Sequence, residues 1–380
     1  DLIKRGIICE NGYGESAGGR KPAHLRLNPS FAGAIGVEVS SRRITGAIAD
    51  VSGAIRVADR RNSPGHYCRS EILQAIFTVI ESLLSQAGGL PIKGIGLGVS
   101  GLIDGAGRVS RELPLAEGWK DVPLADIIEE RFGQPVTLVN AVHAATLGEW
   151  RFSPRENSET NMLFLHMGRG IAAGLIIGGQ LYLGATGNAG EFGHSVVRPD
   201  GPICHCGARG CLESVASPKA IVDQVREAIS RGVRSSISSS APESFTLDHV
   251  LQAAQTGDRL ATNVVHEAGE FIGGALASLV NVLNPHVLVM GGVLAGGPTM
   301  LSQAIERAFR SRVLPALKDE TRIRHSRLGQ DASLLGAAAL VFDAMFKSPK
   351  RLLGLNGQDL EESTSGKETA HEGDRGSEQG

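Results

Sequence analysis

"GEFGHSVVRPDGPICHCGARGCLE" occupies residues 190–213 and contains three of the five cysteines in the chain. Cys204, Cys206 and Cys211 follow a C-x-C-x4-C spacing, and His194 lies ten residues before the first cysteine. Zn²⁺ prefers thiolate and imidazole ligands, and four protein ligands complete its tetrahedral shell. The segment therefore predicts a structural zinc site at His194, Cys204, Cys206 and Cys211, with no open position for a catalytic water. The alternative is that the three cysteines are ordinary small core residues.

The composition limits the class of protein. With 380 residues, 42% of them hydrophobic, the chain can build two medium-sized domains. Its formal net charge of −2 gives no electrostatic case for a nucleic-acid surface over the whole chain. We expect no membrane helix, because no apolar run approaches the ~20 residues that a bilayer requires. We expect no secretion signal, because the sequence does not open on a charged and then apolar leader. The odd, clustered cysteines indicate reduced thiols in the cytoplasm.

Apolar runs beside glycine-rich turns alternate with helical patterns, which predicts an α/β fold. Apolar residues from Ile72 to Leu84 recur at helical spacing and predict a helix that stops at Gly88. "NMLFLHMGRGIAAGLIIGGQLYLG" predicts three strands, and further helices are expected around 219–231 and 260–283. The two halves have similar layouts, which suggests two lobes with a cleft between them.

The cysteine segment also carries a family resemblance. "GEFGH…CHCGARGCLE" resembles the signature of the ROK family, which contains repressors, open reading frames and sugar kinases. "GVSGLIDGAGRV", "GWKDVPLADIIEERFGQPV", "NPHVLVMGG" and "GQDASLLGAAALV" look like family segments in family order, over residues 34–346. The resemblance implies an α/β fold of the two-lobed, actin-like, ribonuclease-H-like ATPase type found in sugar kinases, with a sugar cleft between the lobes.

This resemblance predicts the domain organisation. Residues 31–152 would form the N-terminal lobe, completed by a C-terminal helix at 331–346. Residues 153–330 would form the C-terminal lobe with the zinc loop. Residues 347–380 would be a disordered acidic tail, because so polar a segment cannot bury enough apolar surface to offset the entropy of ordering.

Residues 1–30 are similar to the wing and linker of ROK regulators, a segment that the kinases lack. "GII.E.G.GESAGGRKP" carries that similarity. We therefore expect a remnant of a winged helix-turn-helix, whose recognition helix would precede this sequence and enter the major groove of DNA. The alternative is a flexible basic linker.

The resemblance also implies a sugar site. In the family, the glutamate and histidine of G-E-x-G-H and the glutamate after the last cysteine contact hexose hydroxyls, which corresponds to Glu191, His194 and Glu213. Carboxylates accept hydrogen bonds from vicinal hydroxyls, and zinc would hold the loop that carries them. The alternative for the glutamates is a solvated loop face. The whole predicted sugar site is Ser100, Gly101, Asn140, Glu191, His194 and Glu213.

The position of the kinase general base departs from the family pattern. Kinases of the family resemble E-N-D after the strand "VTLV", and the aspartate takes the proton of the sugar hydroxyl. This chain has Val139-Asn140-Ala141, and alanine cannot accept a proton. His143 is the nearest titratable substitute, and we interpret it as an exposed helix residue.

The nucleotide loops depart as well. "EVSSRR" stands where the kinases resemble D-x-G-G-T-K, and "GRGIAAG" stands where they resemble G-T-G-x-G-x-G. Side chains in place of glycines obstruct the close approach of backbone N–H groups to phosphate. The degenerate loops contain Ser40, Ser41, Gly168, Arg169, Gly170, Gly291 and Gly292.

These patterns predict the non-catalytic sugar-binding core of a ROK-family transcriptional regulator, acting as a repressor. The expected partners are a sugar or sugar derivative, operator DNA for the intact protein, and further copies in a homodimer or homotetramer. The enzyme alternative is an ATP-dependent hexose or N-acetylhexosamine kinase. A third possibility is a structural zinc protein with no ligand in its cleft.

Overall fold

The computed structural model describes residues 2–13, 21, 23–40, 43–62, 67–237 and 245–348. The strands are β1 (Ile8–Tyr13), β2 (Ala23–Leu27), β3 (Gly33–Val39), β4 (Arg43–Asp50), β5 (Ile55–Asn62), β6 (Tyr67–Cys68), β7 (Ile92–Val99), β8 (Ser110–Glu112), β9 (Ala116–Glu117), β10 (Lys120–Val122), β11 (Val136–Asn140), β12 (Met162–Met167), β13 (Ile171–Ile177), β14 (Gln180–Leu181), β15 (Val287–Gly292) and β16 (Arg322–His325). The helices are α1 (Arg69–Ser85), α2 (Leu124–Phe132), α3 (Ala141–Phe152), α4 (Leu212–Ala216), α5 (Pro218–Ser230), α6 (Leu247–Gln255), α7 (Arg259–Leu283), α8 (Met300–Arg312), α9 (Pro315–Lys318) and α10 (Ala332–Phe346).

The first lobe is built on a five-stranded sheet in the order β11-β7-β3-β4-β5. β3, β4 and β5 are antiparallel neighbours, whereas β7 and β11 run parallel to β3. Successive side chains of a strand point to opposite faces. Ile35 and Val37 of β3 therefore pack with α1 on one face, and Ala34 packs with α10 on the other. Burial on both faces explains why these strands read as nearly continuous apolar runs.

Helix α1 ends earlier than the sequence predicts. Its last residue is Ser85, and the backbone N–H of Gln86 donates to the carbonyl of Leu83 at 3.0 Å. This i to i−3 bond tightens the final turn and ends the helix. The prediction of a stop at Gly88 is wrong, since that glycine belongs to the turn that follows.

The second lobe is built on a sheet in the order β14-β13-β12-β15-β16. The three predicted strands are β12, β13 and β14, which are antiparallel neighbours, and β15 and β16 run parallel to β12. Leu163, Leu165 and Leu288 face a core formed with α4 to α8. Phe164 and Val289 point to the opposite face and pack with residues of α3. Each sheet therefore has an outer helical layer and an inner face that meets α3 or α10.

Helices α3 and α10 cross at backbone contact between the two sheets. A Cβ atom at Gly336 would overlap the carbonyl oxygen of Ala144, and a Cβ atom at Gly148 would overlap that of Ala332. Helix α3 also touches the second sheet, where a Cβ atom at Gly174 of β13 would overlap the hydroxyl of Thr146. The glycines thus permit a spacing at which the lobes share one closely packed pair of helices.

A buried carboxylate reinforces this junction. Glu149 of α3 is fully buried and accepts hydrogen bonds from Ser153 Oγ at 2.7 Å and Ser326 Oγ at 2.9 Å. The backbone N–H groups of Arg327 and Leu328 also donate to it, at 3.2 and 3.4 Å. Residues 326–328 connect β16 of the second sheet to the start of α10. Glu149 therefore ties the connection between the lobes to α3.

Helix α7 begins at an acidic cap. Asp258 accepts the backbone N–H of Ala261 at 2.9 Å with one carboxylate oxygen, and that of Ser236 at 2.5 Å with the other. Burial raises the pKa of Asp258, but these hydrogen bonds outweigh it and hold the pKa below its usual value. The ionised carboxylate is thus the form that the folded protein prefers.

The two ends of the chain relate differently to the predictions. Near the start, β1 and β2 form an antiparallel hairpin, and the assignment of residues 1–30 to a winged-helix remnant stays a prediction. Of the predicted acidic tail 347–380, residues 349–380 lie outside the described residues. Within the described ranges, no helix combines the length and the apolar character needed to cross a bilayer.

Candidate metal and sugar-binding site

The four predicted metal ligands meet in one cluster. A short 3-10 turn, Phe192–His194, supplies the imidazole, and the loop before α4 supplies the three thiols. The ligand atoms of His194, Cys204, Cys206 and Cys211 all lie within 4.8 Å of one another. Cys204 Sγ is 3.6 Å from His194 Nδ1, and Cys206 Sγ is 3.7 Å from Cys211 Sγ. A tetrahedral zinc ion with bonds of about 2.3 Å to sulfur and about 2.0 Å to nitrogen requires ligand separations of about 3.5–3.8 Å.

The buried thiols of this cluster resist ionisation unless a cation lies beside them. Burial raises the pKa of Cys211 to about 12, with further contributions from the thiols of Cys206 and Cys204. Three thiolates packed together repel one another, so such a cluster favours binding of a metal ion that offsets their charge. The donor set, three sulfurs and one imidazole nitrogen, is one that zinc prefers. The residues present therefore fit a structural zinc ion.

Glu213 stands at the first turn of α4, two residues after the last thiol. Its Oε2 accepts the backbone N–H of Ile171 at 3.0 Å, and its Oε1 lies 2.9 Å from His205 Nε2. A Cβ atom at Gly170 would overlap Oε2, so glycine at that position allows the carboxylate to approach β13. Glu213 is therefore held in place from two sides while its side chain stays 20% exposed.

Glu191 and His194 lie beside this carboxylate. His194 presents Nδ1 to Cys204, while its Nε2 points to Glu191 Oε2 at 3.8 Å. The Glu191 side chain is 47% exposed, and partial burial raises its pKa. The arrangement leaves His194 one nitrogen for a metal and the other for the surface that Glu191 and Glu213 share.

His205 is a member of this group that the sequence reading missed. Its ring packs edge-on against His194, with centroids 5.0 Å apart, and it bonds to Glu213. His194, His205 and Glu213 form a second cluster whose polar atoms lie within 4.8 Å of one another. The available signal was the histidine at the x position of the C-x-C pair, between Cys204 and Cys206.

Asn140 lies at the end of β11 and begins α3. Its Oδ1 accepts the backbone N–H of Val142 at 2.8 Å, which is a helix N-cap. Its Nδ2 donates to the carbonyl of Gly101 at 2.9 Å. Asn140 therefore joins the predicted Ser100-Gly101 turn, which follows β7, and it retains one N–H and one lone pair for a ligand.

Two hydrogen bonds connect this first-lobe turn with the loop that leads to Glu191. The backbone N–H of Ile103 donates to Asn188 Oδ1 at 3.2 Å. His143 Nε2, in the first turn of α3, bonds to the carbonyl of Ala189 at 2.7 Å. Residues 188 and 189, which lead to Glu191, therefore contact the first-lobe turn and the start of α3.

His143 itself differs from its predicted setting. It is 2% exposed, so the interpretation as an exposed helix residue is wrong. Burial lowers its pKa and favours the neutral imidazole, which donates its Nε2 proton to Ala189. Its hydrogen-bond partner, the Ala189 carbonyl, lies 46 residues away in the sequence.

The degenerate nucleotide loops are compact. Ser40 Oγ accepts the backbone N–H of Arg43 at 3.0 Å and donates to its carbonyl at 2.9 Å, and Arg43 also pairs with Glu38 at 3.1 Å. The carboxylate in the place of the family aspartate is therefore already partnered by a side chain of this loop. Gly168 and Gly170 flank the exposed Arg169 after β12, and Gly291 and Gly292 end β15. Ser41 lies outside the described residues.

Comparison with known proteins agrees with this architecture. A xylose repressor from Caldicellulosiruptor bescii is 31% identical over 355 residues, which cover 92% of this chain and 88% of the repressor. A glucokinase from Thermotoga maritima is 29% identical and covers 81% of this chain and 96% of its own. The solved structure of a ROK family transcriptional regulator, a homolog of the Escherichia coli MLC protein, has a TM-score of 0.78 at 27% identity, over 93% of this chain and 87% of that one.

The model of the ROK family matches residues 34–344. The predicted α/β fold of the actin-like sugar-kinase type is confirmed by this match and by the two sheets with their shared inner helices. The chain belongs to the ROK family.

Proposed function

We propose that this chain is the sugar-binding effector core of a ROK transcriptional repressor and that it has no kinase activity. The observation that carries the proposal is Ala141. It is the first residue of α3, at the position where the family's kinases place their general base. The nearest imidazole, His143, is buried and bonded to the Ala189 carbonyl. Without a base within hydrogen-bond reach, the sugar hydroxyl cannot be deprotonated efficiently.

The nucleotide side supports the same conclusion. Phosphoryl transfer depends on positioning the phosphates and neutralising their charge. In this chain Ser40 closes its turn on Arg43, and Glu38 is paired with Arg43. The Ser40 hydroxyl and the Glu38 carboxylate are therefore already bonded, and a magnesium–nucleotide complex would need such groups at this loop.

The sugar would bind between Asn140 and the glutamates Glu191 and Glu213. Each of these side chains keeps unused hydrogen-bonding capacity beside the contacts described above. Zinc, held by His194 and the three cysteines, would keep the loop in its bound shape and take no part in chemistry. His205 would position Glu213 from the solvent side.

The regulator assignment is supported by the extent of the relatives. The repressor match covers 92% of this chain and the glucokinase match 81%. A repressor of this kind would bind operator DNA in its intact form, in the cytoplasm and as a homodimer or homotetramer. Sugar binding that favours one arrangement of the lobes would shift the equilibrium between DNA-binding states.

The test uses the purified chain with D-glucose, D-xylose and an N-acetylhexosamine. We expect at least one of these sugars to raise the thermal unfolding temperature. Glu213→Gln should weaken binding of that sugar about ten- to a hundred-fold by calorimetry, since a hydrogen bond to a charged group contributes roughly 1.5–3 kcal/mol. Glu227→Gln, on the exposed face of α5, is the matched control and should bind like the native chain.

A coupled assay of ATP consumption with the same sugars completes the test. We expect no turnover above background. A rate of order 1 s⁻¹ or more would overturn the proposal in favour of a kinase. Equal sugar affinity in Glu213→Gln and the native chain would place the ligand elsewhere.

A further inference from the structure

A basic groove lies on the second lobe, away from the metal cluster. It has a volume of about 680 Å³ and is bounded by the segment after α3, by β16 and by the ends of α8 and α9. Its charged lining residues are Arg155, Glu156, Glu159, Arg310, Lys318, Asp319, Arg322, Arg324 and Arg327. Six cations therefore face three carboxylates, and the groove has an excess of positive charge.

The carboxylates of the groove are concentrated on two arginines. Arg322 pairs with Glu156 and, at 3.0 Å, with Glu159. Glu159 also lies 3.8 Å from a terminal nitrogen of Arg324. For Lys318 and Arg327, no described carboxylate lies within ion-pair distance. The unbalanced positive charge thus includes Lys318 and Arg327, which an anionic ligand would find available.

Arg324 shows where an acceptor is missing. Its Nη1 donates to the Pro154 carbonyl at 3.0 Å, whereas its Nε and Nη2 are buried without a hydrogen-bond partner among the described residues. A buried donor of a charged group is costly to leave unsatisfied. The two oxygens of a carboxylate arriving from the groove would satisfy both nitrogens, in the bidentate geometry that guanidinium groups favour.

The C-terminal end of α10 lies near this groove. An ion pair between Arg151 and Asp343 joins the C-terminal turns of α3 and α10. The wall of the groove begins at Pro154, three residues after Arg151. The chain that leaves α10 therefore starts close to the groove.

We propose that the acidic segment of this same chain, residues 356–380, docks in the basic groove. The segment carries seven acidic and two basic residues, a net formal charge of −5. Ten residues lie between Ser348 and Asp359, the first of the acids, and the chain from one to the other spans at most about 40 Å when extended. A tether of this length gives an effective concentration in the millimolar range, so even a weak carboxylate–guanidinium contact is populated.

The test compares the full native chain with a variant in which the seven acids of residues 356–380 are changed to their amides. Hydrogen exchange of β16, which pairs only with β15 among the described residues, reports occupation of the groove. We expect exchange in the amide variant to be about tenfold faster. This factor applies if the effective concentration of the segment exceeds its Kd for the groove about tenfold. Salt at 0.5 M should accelerate exchange in the native chain and leave the variant unchanged.

Two further variants separate docking from a general effect of charge. Lys367→Ala together with Arg375→Ala makes the segment more acidic and should slow exchange beyond that of the native chain. Arg324→Met should abolish the protection, whereas Arg231→Met should preserve it, because Arg231 is an exposed arginine at the end of α5 that does not line the groove.

A synthetic peptide of residues 356–380, added to the amide variant, should restore protection, and its amide form should not. Equal exchange in the native chain and the amide variant at low salt would overturn the proposal. So would protection of β16 by a double-stranded DNA fragment to the same extent in both proteins, because the groove would then be a nucleic-acid site that the segment leaves open. Neither result depends on sugar binding in the cleft.

Discussion

Glu149→Ala is the sharpest test of the junction between the lobes. The carboxylate is fully buried and receives four hydrogen bonds, two from hydroxyls and two from backbone N–H groups. The hydroxyls of Ser153 and Ser326 can rotate to new acceptors after the substitution. The N–H groups of Arg327 and Leu328 cannot, because the backbone holds them in position.

The magnitude follows from these four donors. Each backbone N–H that loses its acceptor costs about 1–3 kcal/mol, and the lost side-chain volume adds a cavity. We expect Glu149→Ala to lower the free energy of unfolding by about 3–5 kcal/mol. The whole free energy of unfolding of a typical protein is about 5–15 kcal/mol, so this is a large part of it. Glu149→Gln retains one carbonyl oxygen and should lose about half as much.

Urea denaturation followed by far-ultraviolet circular dichroism gives the free energies. Glu227→Ala is the control, since Glu227 makes an exposed ion pair on α5 and its removal should change stability by less than about 0.5 kcal/mol. If Glu149→Ala proves no more destabilising than Glu227→Ala, the carboxylate does not hold residues 326–328, and the reasoning about the junction fails.

Three other predictions concern the metal, an acidic cap and a close contact. The purified chain should contain about one zinc ion by elemental analysis. Cys206→Ser should lose that ion and Cys68→Ser should keep it, so zinc-free native protein with intact sugar binding would contradict the metal site. The pKa of Asp258 is lowered on folding, so its contribution to stability is present above the usual carboxyl pKa of about 3.9 and is lost as the pH falls through the lower, folded value. Asp258→Asn should therefore make stability, measured as the urea midpoint between pH 2 and 5, less dependent on pH. An unchanged pH dependence would refute the role of this carboxylate. Gly336→Ala should destabilise by at least about 2 kcal/mol because its Cβ overlaps a carbonyl oxygen, whereas Gly296→Ala, with open space around it, should differ little from native in the same melts.

The sequence predicts local features of the site well and distant ones poorly. The metal cluster spans only residues 194–211, so its spacing could be read directly as ligand geometry. The burial of His143 has no local signal, because its hydrogen-bond partner, the Ala189 carbonyl, lies 46 residues along the chain. The role of His205 is hidden for a different reason. The cysteines on either side of it explain the C-x-C spacing by themselves, and that spacing does not indicate the contact between His205 and Glu213.

The basic groove illustrates the same limit on a larger scale. Its wall combines the segment after α3 with residues near 310–327, which are remote in sequence. No composition window contains all its arginines, and the overall charge of −2 conceals them. The end of α1 is a smaller error of prediction. The helix stops at Ser85 and not at Gly88, because a backbone hydrogen bond from Gln86 to Leu83 ends it.

The backbone contacts of α3 have a consequence for how a ligand signal would travel. Interlocking side chains resist sliding, because each must change rotamer before its neighbour can pass. The surfaces around Gly148, Gly336 and Gly174 present backbone instead, while the hydrogen bonds of Glu149 hold α3 to residues 326–328, so a displacement of this helix would be passed on to its neighbours as a whole. Asn140 lies at the N-terminal end of that helix and Glu149 near its other end, so a sugar that pulls on the Asn140 amide would act, through the Glu149 hydrogen bonds, on the connection that leads from the second sheet to α10.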